Sequence, residues 1–213
     1  MKQTLVNFLP IQILLLSAAM LNLPLVHAQA PQGKPLTIRG KIFALENQAL
    51  KVTTSAGEVL VKYSNDVRIG GVETAKLSDI ASGSYVGVTA LKQADGNLKA
   101  LEVHIFPESS RGTGEGHRPW DLAPGSTMTN ANVEKVEQVA VEKVQGQMLT
   151  LKYKDGEQKI FIPPGTPIVR NVPGDRSLLK VGTGVYIPAL RSDDGTLTAT
   201  RITVGVGGIM PPM

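Results

Sequence analysis

Nucleophilic catalysis needs a nucleophile held beside a base, and this chain offers few candidates for either. It has no cysteine, no Gly-x-Ser-x-Gly, and three histidines, of which His27 falls in an N-terminal leader considered below. His104 stands between Val103 and Ile105, so strand alternation aims it away from an apolar face, an ordinary polar strand position. His117, in Gly-Glu-Gly-His-Arg-Pro-Trp, is better placed for chemistry, but no defined partner accompanies it and it reads first as a surface hydrogen-bonder. Asp79, Asp95 or Asp121 could be assembled into the carboxylate pair of a glycoside hydrolase. Capping and hairpin roles account for the first two without catalysis. The residues point away from an enzyme, and they imply no cofactor.

Metal ligation is the alternative. Glu108, Glu115, His117, Asp121 and Met128 share one stretch, and Met210 and Met213 end the chain. Histidine with carboxylate suits zinc or manganese, and histidine with methionine suits copper. The candidate ligands are His117, Asp121 and Met128, although no tight H-x-H or M-x-x-M spacing ties them together. Nucleic acid is a poor partner, because Lys and Arg number 22 against 18 acids and are interspersed. Tyr63, Tyr85, Tyr153 and Tyr186 are scattered singly and build no stacking platform. What remains is a module that binds a protein, glycan or small ligand, or a structural part of an envelope assembly.

Any such site must be positioned by a repeated scaffold. Ala90–Ala100, A-L-K-Q-A-D-G-N-L-K-A, returns as Ala189–Ala199, A-L-R-S-D-D-G-T-L-T-A. Aligned on Asp95-Gly96 and Asp194-Gly195, the match runs back without gaps: Gln48 onto Gln147, Gly57 onto Gly156, Val86 onto Val185. Each copy alternates apolar and polar residues as five short strands, with a helical turn at Leu77–Ile80 or its counterpart before the fourth. The Asp-Gly pairs suit type I′ hairpin turns. In the fifth strand the apolar phase slips from Leu98 and Ala100 to Val103 and Ile105, and from Leu197 and Ala199 to Ile202 and Val204. A period of two admits this only with an inserted residue, so a β-bulge is expected near Leu101-Glu102 and near Thr200-Arg201. The fold class is all-β: two tandem OB-like five-stranded barrels, over 36–106 and 133–206, each able to fold when cut from the other.

Between them, 107–132 is rich in glycine and proline and reads as a linker. It nevertheless carries the sole tryptophan, Trp120. A ring of that size left in water forfeits roughly 2–3 kcal/mol of burial. Arg118 and Trp120 are therefore expected to dock on a barrel, or to meet a partner, with Trp120 closing one end of the groove between the barrels. The tail 207–213 shows no pattern and reads as flexible.

The pattern G-x-I, L-x-V, Gly-x-x-Val and D-G-x-L-x-A resembles a family of exported bacterial OB-like domains of unknown function. The second half, from Pro163-Pro164-Gly165-Thr166 to the final Pro-Pro-Met, also resembles proteobacterial exported proteins sometimes grouped with metal-uptake transporters. That likeness implies a metal-binding accessory role as the alternative. Export is also read directly from Met-Lys, an apolar run from Leu9 to Val26, and Val26-His27-Ala28, a signal peptide over 1–28 cleaved before Gln29. Losing Lys2 lowers the net charge from +4 to +3. The expected location is periplasmic or secreted. No second apolar stretch reaches the ~20 residues of a membrane-spanning helix.

Overall fold

The computed structural model describes residues 33–141 and 144–212. The expected signal peptide and its cleavage point lie outside them. Fourteen strands form in chain order, starting with β1 (Lys34–Glu46), β2 (Ala49–Thr54), β3 (Gly57–Lys62), β4 (Arg68–Thr74), β5 (Tyr85–Lys92), β6 (Leu98–Ile105) and β7 (Gly116–Pro119). They continue with β8 (Ser126–Val141), β9 (Val144–Tyr153), β10 (Gly156–Ile162), β11 (Ile168–Pro173), β12 (Gly184–Arg191), β13 (Leu197–Ala199) and β14 (Arg201–Gly205). The only helical elements among the described residues are 3-10 turns, including the expected Leu77–Asp79 and its counterpart Arg176–Leu178. The all-β barrel expectation is met.

The barrels are not, however, the two sequence copies. In the first, β1 pairs β2, β2 pairs β3, β3 runs parallel to β13, β13 pairs β12, and β12 closes on β1. In the second, the same Greek-key order runs β8, β9, β10, β6, β5 and back to β8. Each barrel thus takes its first three strands from one copy and its last two from the other. The expectation that 36–106 and 133–206 close separately is corrected by these pairings. The cores follow the exchange. Leu50, Val52 and Val61 pack with Val185, Leu197 and Ile202, while Val86, Val88 and Val103 pack with Leu149, Leu151 and Ile160.

The crossing is made by β4 and β11, which run antiparallel to one another, so that Val72 faces Asn171. The offset that carries Ala90 onto Ala189 also carries Val72 onto Asn171, so equivalent residues meet and a pseudo-twofold axis passes through that pair. The chains approach closely there: a Cβ on Gly71 would stand 2.8 Å from the Val172 side chain and 2.9 Å from that of Val206. Residues 31–213 form one compact unit.

Three local expectations meet different outcomes. Both bulges form: β5 and β6 shift register so that Leu101 has no partner, and Thr200 interrupts the strand between β13 and β14. The Asp-Gly turns are not type I′, since only the glycines are left-handed, Gly96 at φ 87 and Gly195 at φ 83. The Asp95 carboxylate instead accepts the Asn97 N–H at 2.9 Å, and Asp194 accepts that of Thr196 at 2.9 Å. This local bond keeps the aspartate backbone on the ordinary side of φ. The tail is not loose either: a 3-10 turn spans Val206–Gly208 and Pro211 is buried near Gly205.

The supposed linker also belongs to the fold. Its end, Ser126–Asn132, is the first half of β8 and pairs with β5, while β7 pairs with β8 on the other side. Its serine, threonine and asparagine residues disguise a strand because one of its faces is turned to a polar interior rather than to an apolar core.

Candidate functional site

The bulge at Leu101 decides where two polar side chains go. Without it, the parity that buries Leu98 and Ala100 would drive Glu102 and His104 into the second barrel's core. With it, Val103 points inward and Glu102 and His104 turn outward. Outward is not solvent here, because the crossing strands and the other barrel lie against that face. Glu102 is 1 % exposed and His104 0 %.

A cavity of about 220 Å³ opens beside His104. Gly70 and Gly71 of β4, Asn171 and Val172 of β11, and Arg201 and Thr203 of β14 form part of its wall. Gly87, His104, Phe106, Met128 and Asn130 belong to the second barrel's side, and Arg118 and Trp120 line it together with Thr113 and Gly114. Gly87 must remain glycine for the wall to close, since a Cβ there would stand 2.7 Å from Asn130 Oδ1 and 2.9 Å from the Phe106 ring.

The polar lining is under-satisfied. Trp120 Nε1 and Asn130 Oδ1 are buried with no hydrogen-bond partner among the described residues, while the buried His104 ring meets the Asn171 side chain and has its Nε2 3.8 Å from Glu102 Oε1. An unmade buried hydrogen bond costs about 1–3 kcal/mol, so native folds rarely gather several. Next to the cavity, Glu102 Oε1 accepts from the Thr89 hydroxyl at 2.8 Å and Oε2 has no partner. Burial pushes the Glu102 carboxyl up to about 7, opposed by the Thr89 hydrogen bond. Burial pulls His104 down to about 4, opposed by its hydrogen bond with Asn171 and aided by Arg201 nearby. At neutral pH the histidine is uncharged, and the carboxyl keeps its proton to a higher pH than an exposed glutamate does.

The Glu102 environment has a measurable consequence. Between its ordinary 4.5 and its folded value near 7, the folded chain keeps a proton that the unfolded chain gives up. The carboxyl therefore weakens the fold as pH rises through that window, by on the order of 3 kcal/mol above it. His104 acts oppositely, its contribution being lost as pH falls from 6.5 towards 4. Glu102→Gln is expected to match the parent near pH 4 and to exceed it at pH 8, read as urea midpoints. Equal midpoints at pH 8 would show that the carboxyl is not burdened by burial.

The sequence-derived candidates are distributed unevenly. Arg118 and Trp120 do line the cavity, and the Arg118 guanidinium lies 5.5 Å from the centre of the Trp120 ring. Met128 is directly across from Arg118 on the β7–β8 pairing and is buried on the same face. His117 pairs across with Thr129, and its Nδ1 meets the Thr129 hydroxyl at 2.8 Å. His117 and Met128 thus occupy opposite faces. Asp121 is engaged elsewhere, in an ion pair with Arg39 at 2.8 Å that joins β1 to the segment after β7 and holds the Asp121 carboxyl below its usual range. The three residues named as metal ligands are not brought to one point. Among the described residues, no group of three or more His, Cys, Asp or Glu could hold a metal ion. Sequence reasoning passed over His104, Asn130, Asn171 and Arg201. The phase slip places His104 and Arg201 on outward faces, but only the strand exchange covers His104, while Arg201 stays exposed at the cavity's edge.

The model of one family, described as a domain of unknown function (DUF5666), matches 39–104 and again 140–203, together more than half of the chain. The chain belongs to that family and carries two copies of its domain. The search of curated proteins and the search of solved structures each found no match. Among the described residues, no helix is long and apolar enough to cross a membrane.

Proposed function

We propose that this two-copy member of the family is an exported, non-catalytic binding module that holds a small molecule between its exchanged barrels. One observation carries the reading: Trp120 and Asn130 present unpartnered, buried polar atoms around a single cavity that the buried His104 and Asn171 also line. Buried polar groups need partners, and a ligand site is made of an apolar concavity with a few convergent polar groups. At about 220 Å³ the space is smaller than the ~300 Å³ at which drug-sized pockets begin. The leader supports delivery to the periplasm or beyond, where a chain without cysteine relies on its cores alone.

Native mass spectrometry of the chain recovered from a periplasmic extract tests this. The expected spectrum shows a mature chain beginning at Gln29 and carrying a small bound molecule, which is lost in Asn171→Leu. Trp120, the sole tryptophan, should change its emission when that molecule is removed. A bare chain whose cross-links run to a protein or glycan would replace the small-molecule reading with a docking role.

A further inference from the structure

Resting on that reading, we infer that the cavity's ligand is a small organic carboxylate, whose charge is taken by Arg118 and Arg201 while its apolar body lies against Trp120, Phe106 and Val172. The two arginines reach the cavity from different elements, Arg118 from β7 and Arg201 from β14. Neither forms an ion pair among the described residues, whereas Arg39, Arg111 and Arg170 all do. Arg118 is held in place, donating from Nη1 to Gly114 O at 2.7 Å and stacking on Trp120, which leaves donors on its other edge. A guanidinium presents its N–H groups in a rigid fork that matches a carboxylate.

The remaining lining fits the same ligand. Trp120 Nε1 is a buried donor with no acceptor, and an oxyanion would supply one. A cation is disfavoured, because two unpaired arginines face it and no carboxylate lines the cavity. Inorganic phosphate would leave the apolar wall of Phe106, Val172 and Met128 uncovered. The exchange of strands matters chemically here. The position that holds Glu102 in one copy holds Arg201 in the other, so a symmetric scaffold makes a site of one predominant sign.

The test uses the purified chain with benzoate, benzamide and inorganic phosphate as probes, followed through Trp120 emission and calorimetry. Benzoate is expected to bind at least about tenfold more tightly than benzamide, and to weaken as salt is raised. Arg201→Gln, at an exposed residue that forms no ion pair among the described residues, should weaken benzoate by about tenfold and leave benzamide unchanged. Arg118→Gln should do the same, and Arg118→Lys should not restore the affinity. Benzamide binding as tightly as benzoate would overturn the carboxylate while leaving a cavity-binding module standing. Phosphate binding more tightly than benzoate would overturn the organic body. Silence from all three probes would overturn this inference, and the proposed function would fall only if the native chain also carried no small molecule.

Discussion

Leu50→Ala is expected to cost about 2–5 kcal/mol of unfolding free energy, and Leu149→Ala a similar amount, each measured by urea denaturation. Both leucines are fully buried, one in each core. The pairwise pattern is more telling than either size. Val61 and Leu197 are paired neighbours contributed by different copies. Val61→Ala combined with Leu197→Ala should therefore depart from additivity by roughly 0.5–3 kcal/mol. Leu50 and Val86 belong to one copy but to different cores. Leu50→Ala combined with Val86→Ala should add to within about 0.5 kcal/mol. The reverse pattern would mean that each copy packs on itself.

Why the exchange was not legible in the sequence follows from the repeat. Leu197 pairs with Val61 as Leu98 pairs with Ile160, and the offset that relates the copies carries one pair onto the other. A third strand therefore meets the same residue types whether its partner comes from its own copy or from the other. The choice is made by the connection: β4 and β11 continue outward and pair with each other instead of folding back. Alternation, the helical turn at Leu77–Asp79 and the bulges at Leu101 and Thr200 are local, and the residues specify them directly.

The site divides in the same way. The outward turn of Glu102 and His104 follows from the slip in phase after Ala100, and Trp120 was recognisable as an anchor from its size alone. The burial of His104 was not, because its cover comes from Asn171 and Thr203, far along the chain. Ser126–Asn132 looked like linker because its outward residues, Ser126, Met128 and Asn130, serve a polar interior.

Cutting the chain in two different ways tests the exchange most directly. Residues 68–173 contain every member of one core, from Ala75 to Ile168, with all five strands of that barrel and both crossing strands. That piece should fold alone, because it keeps a complete core. Residues 33–106, one full sequence copy, hold three strands of one barrel and two of the other. As a monomer that piece has no complete core. Amide correlation spectra of the two pieces, recorded at concentrations where each is monomeric, decide the matter. The exchanged fold predicts dispersed shifts for 68–173 and a collapsed spectrum for 33–106. Dispersed shifts for monomeric 33–106 beside a collapsed 68–173 would contradict it.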